Sequence, residues 1–314
     1  MEQLLEVKNL KSYFKTPRGY LHAVDDVTFA VREGSTVGVV GESGCGKSTL
    51  GRTILHLREP TAGNIIFEGK DITAVSRSEL KELHRKMQMI FQDPYSSLDP
   101  RKTVRNIIAE PLKIYHTCSG RRELDERVSE LMEVVGLAQN LMDSYPHELD
   151  GGRRQRIGVA RALALEPRFI VCDEPVSALD VSIQAQILNL LQDLQEDKGL
   201  TYLFITHNLS VVKHISNEII VMYLGCMAEL AETDELFDHP LHPYTKALLS
   251  AIPTVDIDRP RQREIMMGEL SSPIEPKPGC RFAPRCKYAT ERCITETPEL
   301  REMSRGHYVA CHCV

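Results

Sequence analysis

The chain has 314 residues, 42% hydrophobic and 26% charged, enough for one large α/β unit with an appendage or for two units. Forty-four acidic against 38 basic side chains leave a net charge of −6, which argues against a general nucleic-acid binder. The longest uncharged apolar run, Ile219 to Ala228, is ten residues. Spanning a bilayer takes roughly 18 or more. Met1-Glu2-Gln3 is acidic and leads directly into a strand-like segment, so no secretory signal is expected and the chain should stay on the cytoplasmic side.

Leu4 to Leu10 alternates apolar and polar residues as a half-buried strand does, and Ala23 to Val31 repeats the pattern after a polar stretch over Lys15 to Tyr20. Val37 to Val40, between Gly34 and Gly41, reads as a buried strand, and Thr49 to Leu57 as the helix after a glycine-rich turn. Asn64 to Phe67 and Met87 to Phe91 are further strand candidates. Arg101 to about Asp143 has helical periodicity; Ser129 to Leu141 is amphipathic, interrupted at Gly136. Phe169 to Cys172, Leu203 to Thr206 and Ile219 to Tyr223 alternate with helices, as in a mostly parallel sheet. From about Thr233 the pattern is broken by Pro240, Pro243, Pro253, Pro260, Pro273, Pro276, Pro278, Pro284 and Pro298. A domain boundary is expected there: 1–232 as a catalytic unit and 233–314 as an extension.

Gly41-Glu-Ser-Gly-Cys-Gly-Lys-Ser-Thr49 fits the phosphate-loop pattern G-x-x-x-x-G-K-[ST] and lies between the strand and the helix that such a loop needs. Gly41, Gly44 and Gly46 let backbone N–H groups, with those of Ser43 and Thr49, turn toward phosphate oxygens, and the helix adds its positive end. Lys47 would reach the β- and γ-phosphates of ATP, and the Ser48 hydroxyl would ligate Mg²⁺. Cys45 reads as a small loop side chain rather than a reactive thiol. Phe169-Ile-Val-Cys-Asp-Glu174 supplies the second half: Asp173 for the Mg²⁺ shell and Glu174 as general base toward water.

Nine cysteines are unevenly placed, five of them in the last 35 residues: Cys280, Cys286, Cys293, Cys311 and Cys313. In a reducing compartment such a set suggests a metal or cluster site rather than disulfides. Four thiolates suit either zinc or an iron–sulfur cluster. The C-x5-C-x6-C-x17-C spacing of Cys280, Cys286, Cys293 and Cys311 lacks the short knuckle of structural zinc.

Over residues 4 to 230 the chain resembles the ATP-binding cassette ATPases. Met89-Ile-Phe-Gln-Asp93 is similar to their Q-loop, Leu149-Asp-Gly-Gly-Arg153 to the LSGGQ signature, Ser177-Ala-Leu-Asp180 to the D-loop, and Thr206-His207 to the switch histidine. The resemblance implies a phosphate-loop (RecA-like) α/β core with an antiparallel β subdomain and a helical signature subdomain at about 95–160, followed by the small cysteine-rich extension. It also implies roles: Gln92 at the metal and attacking water, His207 at the γ-phosphate, Phe14 (or Tyr13) stacked on adenine. Asp150, Gly151 and Gly152 would face ATP held by a second subunit.

Phe91-Gln-Asp-Pro-Tyr-Ser-Ser-Leu-Asp-Pro-Arg101 and His239-Pro-Leu-His-Pro-Tyr-Thr-Lys-Ala-Leu-Leu-Ser-Ala-Ile-Pro253 are similar to the oligopeptide/dipeptide and nickel importer branch. That branch implies a [4Fe–4S] cluster on Cys280, Cys286, Cys293 and Cys311, with Cys313 as a substitute for Cys311. It implies a peripheral ATPase on the cytoplasmic face of the membrane, paired with a second cassette, two permease subunits and, indirectly, an extracytoplasmic solute-binding protein. A soluble ATPase of the superfamily is the competing reading. Only 108 residues separate Gly41 from Asp150, without sustained heptads, and one chain carries one cassette, which disfavours repair, chromosome and translation types. A redox sensor using the cysteine tail is the third reading. Where the family signature has serine this chain has Asp150, which can cap a helix but, as an anion, cannot donate to phosphate and should repel it; the alternative is that Mg²⁺ or a water bridges the two. A heterodimer with unequal sites is the expectation.

Overall fold

The computed structural model describes residues 3–252, 264, 266–268 and 272–314. Two compact units are present, one made of Met1–Ala74 with Phe204–Val314 and the other of Val75–Leu203. The proline-rich reading at Pro253 and Pro260 lies outside the described residues.

The first unit opens with the hairpin β1 (Gln3–Thr16) and β2 (Gly19–Arg32). Leu5, Val7 and Leu10 are fully buried, as the alternation requires. The strand continues six residues past Leu10 because register shifts after Val7, Leu10 and Ser12 break the alternation without ending the pairing. The polar stretch after Lys15 is the hairpin turn, closed where Thr16 pairs with Gly19. β3 (Thr36–Val40) is buried at every position, and α1 (Lys47–Ile54) follows. β4 (Ala62–Phe67) pairs antiparallel with β1, and β5 (Lys70–Asp71) with β4, giving a sheet of order β2-β1-β4-β5.

The second unit contains α2 (Arg77–Lys86), β6 (Met87–Ile90), α3 (Val104–Ile114), α4 (Arg121–Val134), α5 (Gly151–Leu163), β7 (Phe169–Asp173) and α6 (Val181–Lys198). α2 has no fully buried residue, and its apolar face is no more than the half-buried Leu80 and Leu83. Its one sequence signal is the Ser76/Glu79 capping box. α4 starts earlier than the amphipathic stretch at Ser129 and stops before Gly136, whose φ of 66° turns the chain out of the helix. Val104, Ile107 and Ile108 of α3, Val128 and Met132 of α4, and Ile157 and Ala160 of α5 are buried. β6 and β7 run parallel, Met87 beside Phe169 and Ile90 beside Cys172.

The chain division falls inside β8 (Thr201–Ile205), after which the first unit resumes with α7 (Leu209–Ile215), β9 (Glu218–Tyr223) and β10 (Cys226–Glu232). The ten-residue apolar run is thus a hairpin rather than a single element. Its turn residues Leu224 and Gly225 have φ of 43° and 87°, the sign a tight two-residue hairpin demands. α8 (Thr233–Asp238), α9 (Pro243–Ser250), α10 (Glu291–Thr295), β11 (Arg301–Ser304) and β12 (His307–Val309) complete it. β3 is parallel to β9, and the order β11-β12-β10-β9-β3 carries the C-terminal strands onto the same sheet. Tyr244 and Phe282 of the extension share one core with Val40, Val221 and Tyr223. Among the described residues no helix is long and apolar enough to cross a membrane.

Candidate functional site

The loop from Gly41 to Gly46 leaves β3 and enters α1. Gly41, Gly44 and Gly46 have φ of 151°, 79° and 106°, which L side chains rarely adopt. A Cβ on Gly46 would lie 1.8 Å from the Ala23 carbonyl oxygen, so the backbone there has no room for a side chain. Ser43 and Gly44 are exposed; Ser48 and Thr49 are half-buried at the helix start. α1 begins at Gly46 with no capping side chain, which leaves its N-terminal N–H groups oriented as an anion site. The Lys47 ammonium is buried within the loop and donates to the carbonyls of Gly41 (2.7 Å) and Glu42 (3.0 Å). Cys45 is buried, and burial raises its thiol pKa, the behaviour of a packed loop side chain and not of a reactive nucleophile.

Tyr13 and Phe14 follow the β1 register shift and have different partners. Tyr13 stacks on His22 with ring centroids 3.8 Å apart, and its hydroxyl donates to Asp25. Phe14 lies under the Arg58 guanidinium, 3.4 Å from the ring centroid, so its face already accepts a flat cation. Nothing in the sequence singled out Arg58. His207 is exposed, one residue beyond Thr206, whose N–H donates to Val39 of β3.

In the second unit, β7 ends in Asp173, fully buried, and Glu174, 9% exposed. Glu174 has φ of 46°, an uncommon backbone for a non-glycine residue and one found at functional sites. The exposed Gln92 donates its amide N–H to Glu174 Oε2 at 3.0 Å, so two of the expected residues meet directly. Asp150 is the N-cap of α5: its Oδ1 accepts from Arg153 N at 2.8 Å and its Oδ2 lies 3.4 Å from Arg153 Nε. A Cβ on Gly152 would meet Ile183 Cγ2 at 2.7 Å, and one on Gly151 Leu179 Cδ2 at 3.0 Å, so this turn packs against the start of α6. Two arginines of α5 hold the segment after β6: Arg154 covers Tyr95 at 3.8 Å, and Arg161 donates to Ser97 O at 2.7 Å. Both belong to the runs Arg154-Gln155-Arg156 and Ala160-Arg161-Ala162 that follow the signature-like stretch in sequence.

All nine cysteines are free thiols. Cys293 Sγ lies 3.9 Å from Cys313 Sγ, and Cys280 N–H donates to Cys293 O at 2.7 Å. Burial pushes Cys280 and Cys313 each up to about 11, with the charges of neighbouring thiols adding to it. The expected metal centre on Cys280, Cys286, Cys293 and Cys311 is not borne out as a preformed ion site. Among the described residues no three His, Cys, Asp or Glu side chains converge to hold one metal ion. Cys313, whose thiol lies beside that of Cys293, is the residue that the Val-Ala-Cys311 context placed second to Cys311.

Residues 24–177 match the family model described as ABC transporter, and residues 228–293 that of the oligopeptide/dipeptide transporter, C-terminal region. The chain is 53% identical to the oligopeptide transport ATP-binding protein OppF of Bacillus subtilis, over 99% of this chain and 96% of that one. It is 52% identical to the OppF protein of Salmonella typhimurium, over 98% and 92%. A solved ATP-binding cassette, dimeric in a post-hydrolysis state with ADP and Pi, superposes with a TM-score of 0.67 and 29% identity, covering 73% of this chain and 98% of that one. The chain therefore belongs to the ABC transporter family, as an ATP-hydrolysing subunit that carries the oligopeptide/dipeptide transporter C-terminal region.

Proposed function

We propose that this chain powers a peptide importer, as one of two unlike cassettes docked on two permease subunits at the cytoplasmic face of the membrane and fed by a solute-binding protein. The reading rests above all on the loop Gly41–Thr49, where positive-φ glycines open onto an uncapped helix start around a buried lysine. The likeness to oligopeptide transport proteins over nearly the whole chain favours this over a soluble repair or translation ATPase.

In this reading the N–H groups of the loop cradle the phosphates of ATP, and Lys47 exchanges its carbonyl partners for β- and γ-phosphate oxygens. Ser48, Gln92 and Asp173 offer hydroxyl, amide and carboxylate oxygens, a hard donor set suited to Mg²⁺, which when bound supplies charge neutralisation on the phosphates. Glu174 takes a proton from water as its oxygen attacks the γ-phosphorus. The bond to the bridging oxygen breaks, and ADP and phosphate leave. Gln92 orients that carboxylate, and His207 contacts the γ-phosphate. Phe14 or Tyr13 stacks on adenine once Arg58 or His22 yields its face.

At the partner's site this chain contributes Asp150, Gly151 and Gly152. The Asp150 carboxylate fills its own helix end and repels the γ-phosphate, with Arg153 offsetting part of that charge. The extension is proposed to hold a [4Fe–4S] cluster on Cys280, Cys286, Cys293 and either Cys311 or Cys313. Its support is the placing of five cysteines in the last 35 residues, with Cys293 Sγ 3.9 Å from Cys313 Sγ. No step of hydrolysis uses it. Iron and acid-labile sulfide in the anaerobically purified chain test it; stoichiometric zinc or no metal would overturn it. For the main reading, peptide uptake into vesicles bearing the assembled importer should vanish with Lys47→Ala and Glu174→Gln, and uptake at the wild-type rate would refute it.

A further inference from the structure

Glu42 is the one acidic residue of the phosphate loop, and its N–H, its carbonyl and one carboxylate oxygen each have a partner. Its N–H donates to the Tyr244 hydroxyl at 2.9 Å, and its carbonyl accepts from Lys47 Nζ at 3.0 Å and Cys45 N at 3.2 Å. Its Oε2 accepts from Arg285 Nη1 at 2.8 Å. The two charges are 21% and 11% exposed, so solvent screens this pair less than a surface pair. Arg285 stands in the short segment that Cys280 and Cys286 bracket, and Phe282 of that segment packs against Tyr223 and Tyr244 at ring-centroid distances of 5.2 and 5.4 Å. Four residues earlier, Arg281 donates to the Leu224 carbonyl and pairs with Asp25, the acceptor of the Tyr13 hydroxyl. The turn it grips is joined to the loop as well, Gly225 N–H donating to Cys45 O at 2.8 Å. One segment of the extension thus reaches the phosphate loop at two points.

We infer that Arg285 is a positioning residue for ATP: it cancels the Glu42 carboxylate and holds it away from the phosphates, so the C-terminal extension sets the loop's affinity for nucleotide. The inference rests on the reading of Gly41–Thr49 as the ATP phosphate site. A loop that must receive a polyphosphate gains nothing from a carboxylate. Paired to Arg285, Glu42 serves as an anchor; unpaired, it adds a negative charge beside the ligand.

The test is steady-state ATP hydrolysis by the assembled importer, with KM and kcat separated. Arg285→Ala should raise KM for ATP about tenfold, the scale of one uncancelled negative charge beside the phosphates, while kcat stays within about twofold. Removing the carboxylate as well, in Glu42→Gln/Arg285→Ala, should restore KM, and Glu42→Gln alone should lower it. Arg292→Ala, which removes the exposed pair with Glu296 in the same extension, should change neither constant. A KM unmoved by Arg285→Ala, or a double variant as weak as the single, would overturn the inference. Should Arg285→Ala not fold, Glu42→Gln decides: a lowered KM supports the role, and a raised one contradicts it. Lys47→Ala separates this from the underlying reading. If it leaves ATP binding intact the loop is not the phosphate site, whereas its failure beside an indifferent Arg285→Ala sinks only the role of Arg285.

Discussion

Two helix starts in this chain answer the same electrostatic problem in opposite ways. α1 begins at a left-handed glycine with no side-chain cap and a buried lysine beside it. α5 begins at Asp150, whose carboxylate accepts Arg153 N and neighbours Arg153 Nε. Both ends carry the positive end of a helix dipole. The first has no side-chain anion at its cap; the second supplies one of its own. A helix N-terminus is therefore not a phosphate site by geometry alone, and what sits at the cap decides.

That contrast breaks first at Lys47. Lys47→Ala should lower ATP turnover by at least about a hundredfold, as loss of a preorganised charge does. An isotherm and rate like wild type would mean the α1 end binds no phosphate. A second, steric test compares glycines. Gly46→Ala drives a Cβ into the Ala23 carbonyl at 1.8 Å, whereas Gly151→Ala meets the Leu179 side-chain tip at 3.0 Å. The former should cost more than about 4 kcal/mol or abolish folding, the latter about 1 kcal/mol or less. Urea unfolding measures both, and equal costs would deny the α1 loop its special backbone.

Much of this was legible in sequence, where the information is local. The phosphate loop, the β7 carboxylates and the Asp150 cap each occupy one short stretch, and glycine, lysine and aspartate have few other reasons to stand in that order. The Arg285–Glu42 pair joins positions 243 residues apart, and no local pattern announces it. β12 is three residues long and exists through its pairing with β10, while α2 buries none of its residues fully. The cysteines are the harder case. Their spacing points to a metal or cluster site, but spacing along a chain does not say how thiols converge. Among the described residues no three His, Cys, Asp or Glu side chains are placed to hold one metal ion.

Acid should loosen the scaffold of the phosphate loop. His242 caps α9 by accepting from Tyr244 N at 3.0 Å, and burial pushes its pKa down to about 4. Unfolding restores a pKa near 6.5, so the unfolded chain binds the extra proton between those values. Stability is then complete above about pH 6.5 and falls as pH drops toward 4. The loss should be about 2 kcal/mol between pH 7 and pH 5. Denaturation curves at the two pH values, with His242→Gln as reference, measure it; a pH dependence unchanged in the variant would remove His242 as its source. The smallest effect belongs to the α5 end. Asp150→Ala should cost about 1 kcal/mol of stability through the lost cap, and Asp150→Ser, which keeps a cap, about 0.5 kcal/mol or less. Asp150→Ser should also raise ATP occupancy at the partner's loop, read by counting bound nucleotides per assembled importer.

Turnover with one catalytic carboxylate removed at a time tests the account most directly. In the assembled importer, Glu174→Gln should cut ATP hydrolysis to about a hundredth or less, the expected cost of losing a general base, while the matching change in the partner cassette leaves most of it. Equal losses from the two changes, or wild-type turnover with Glu174→Gln, would contradict it.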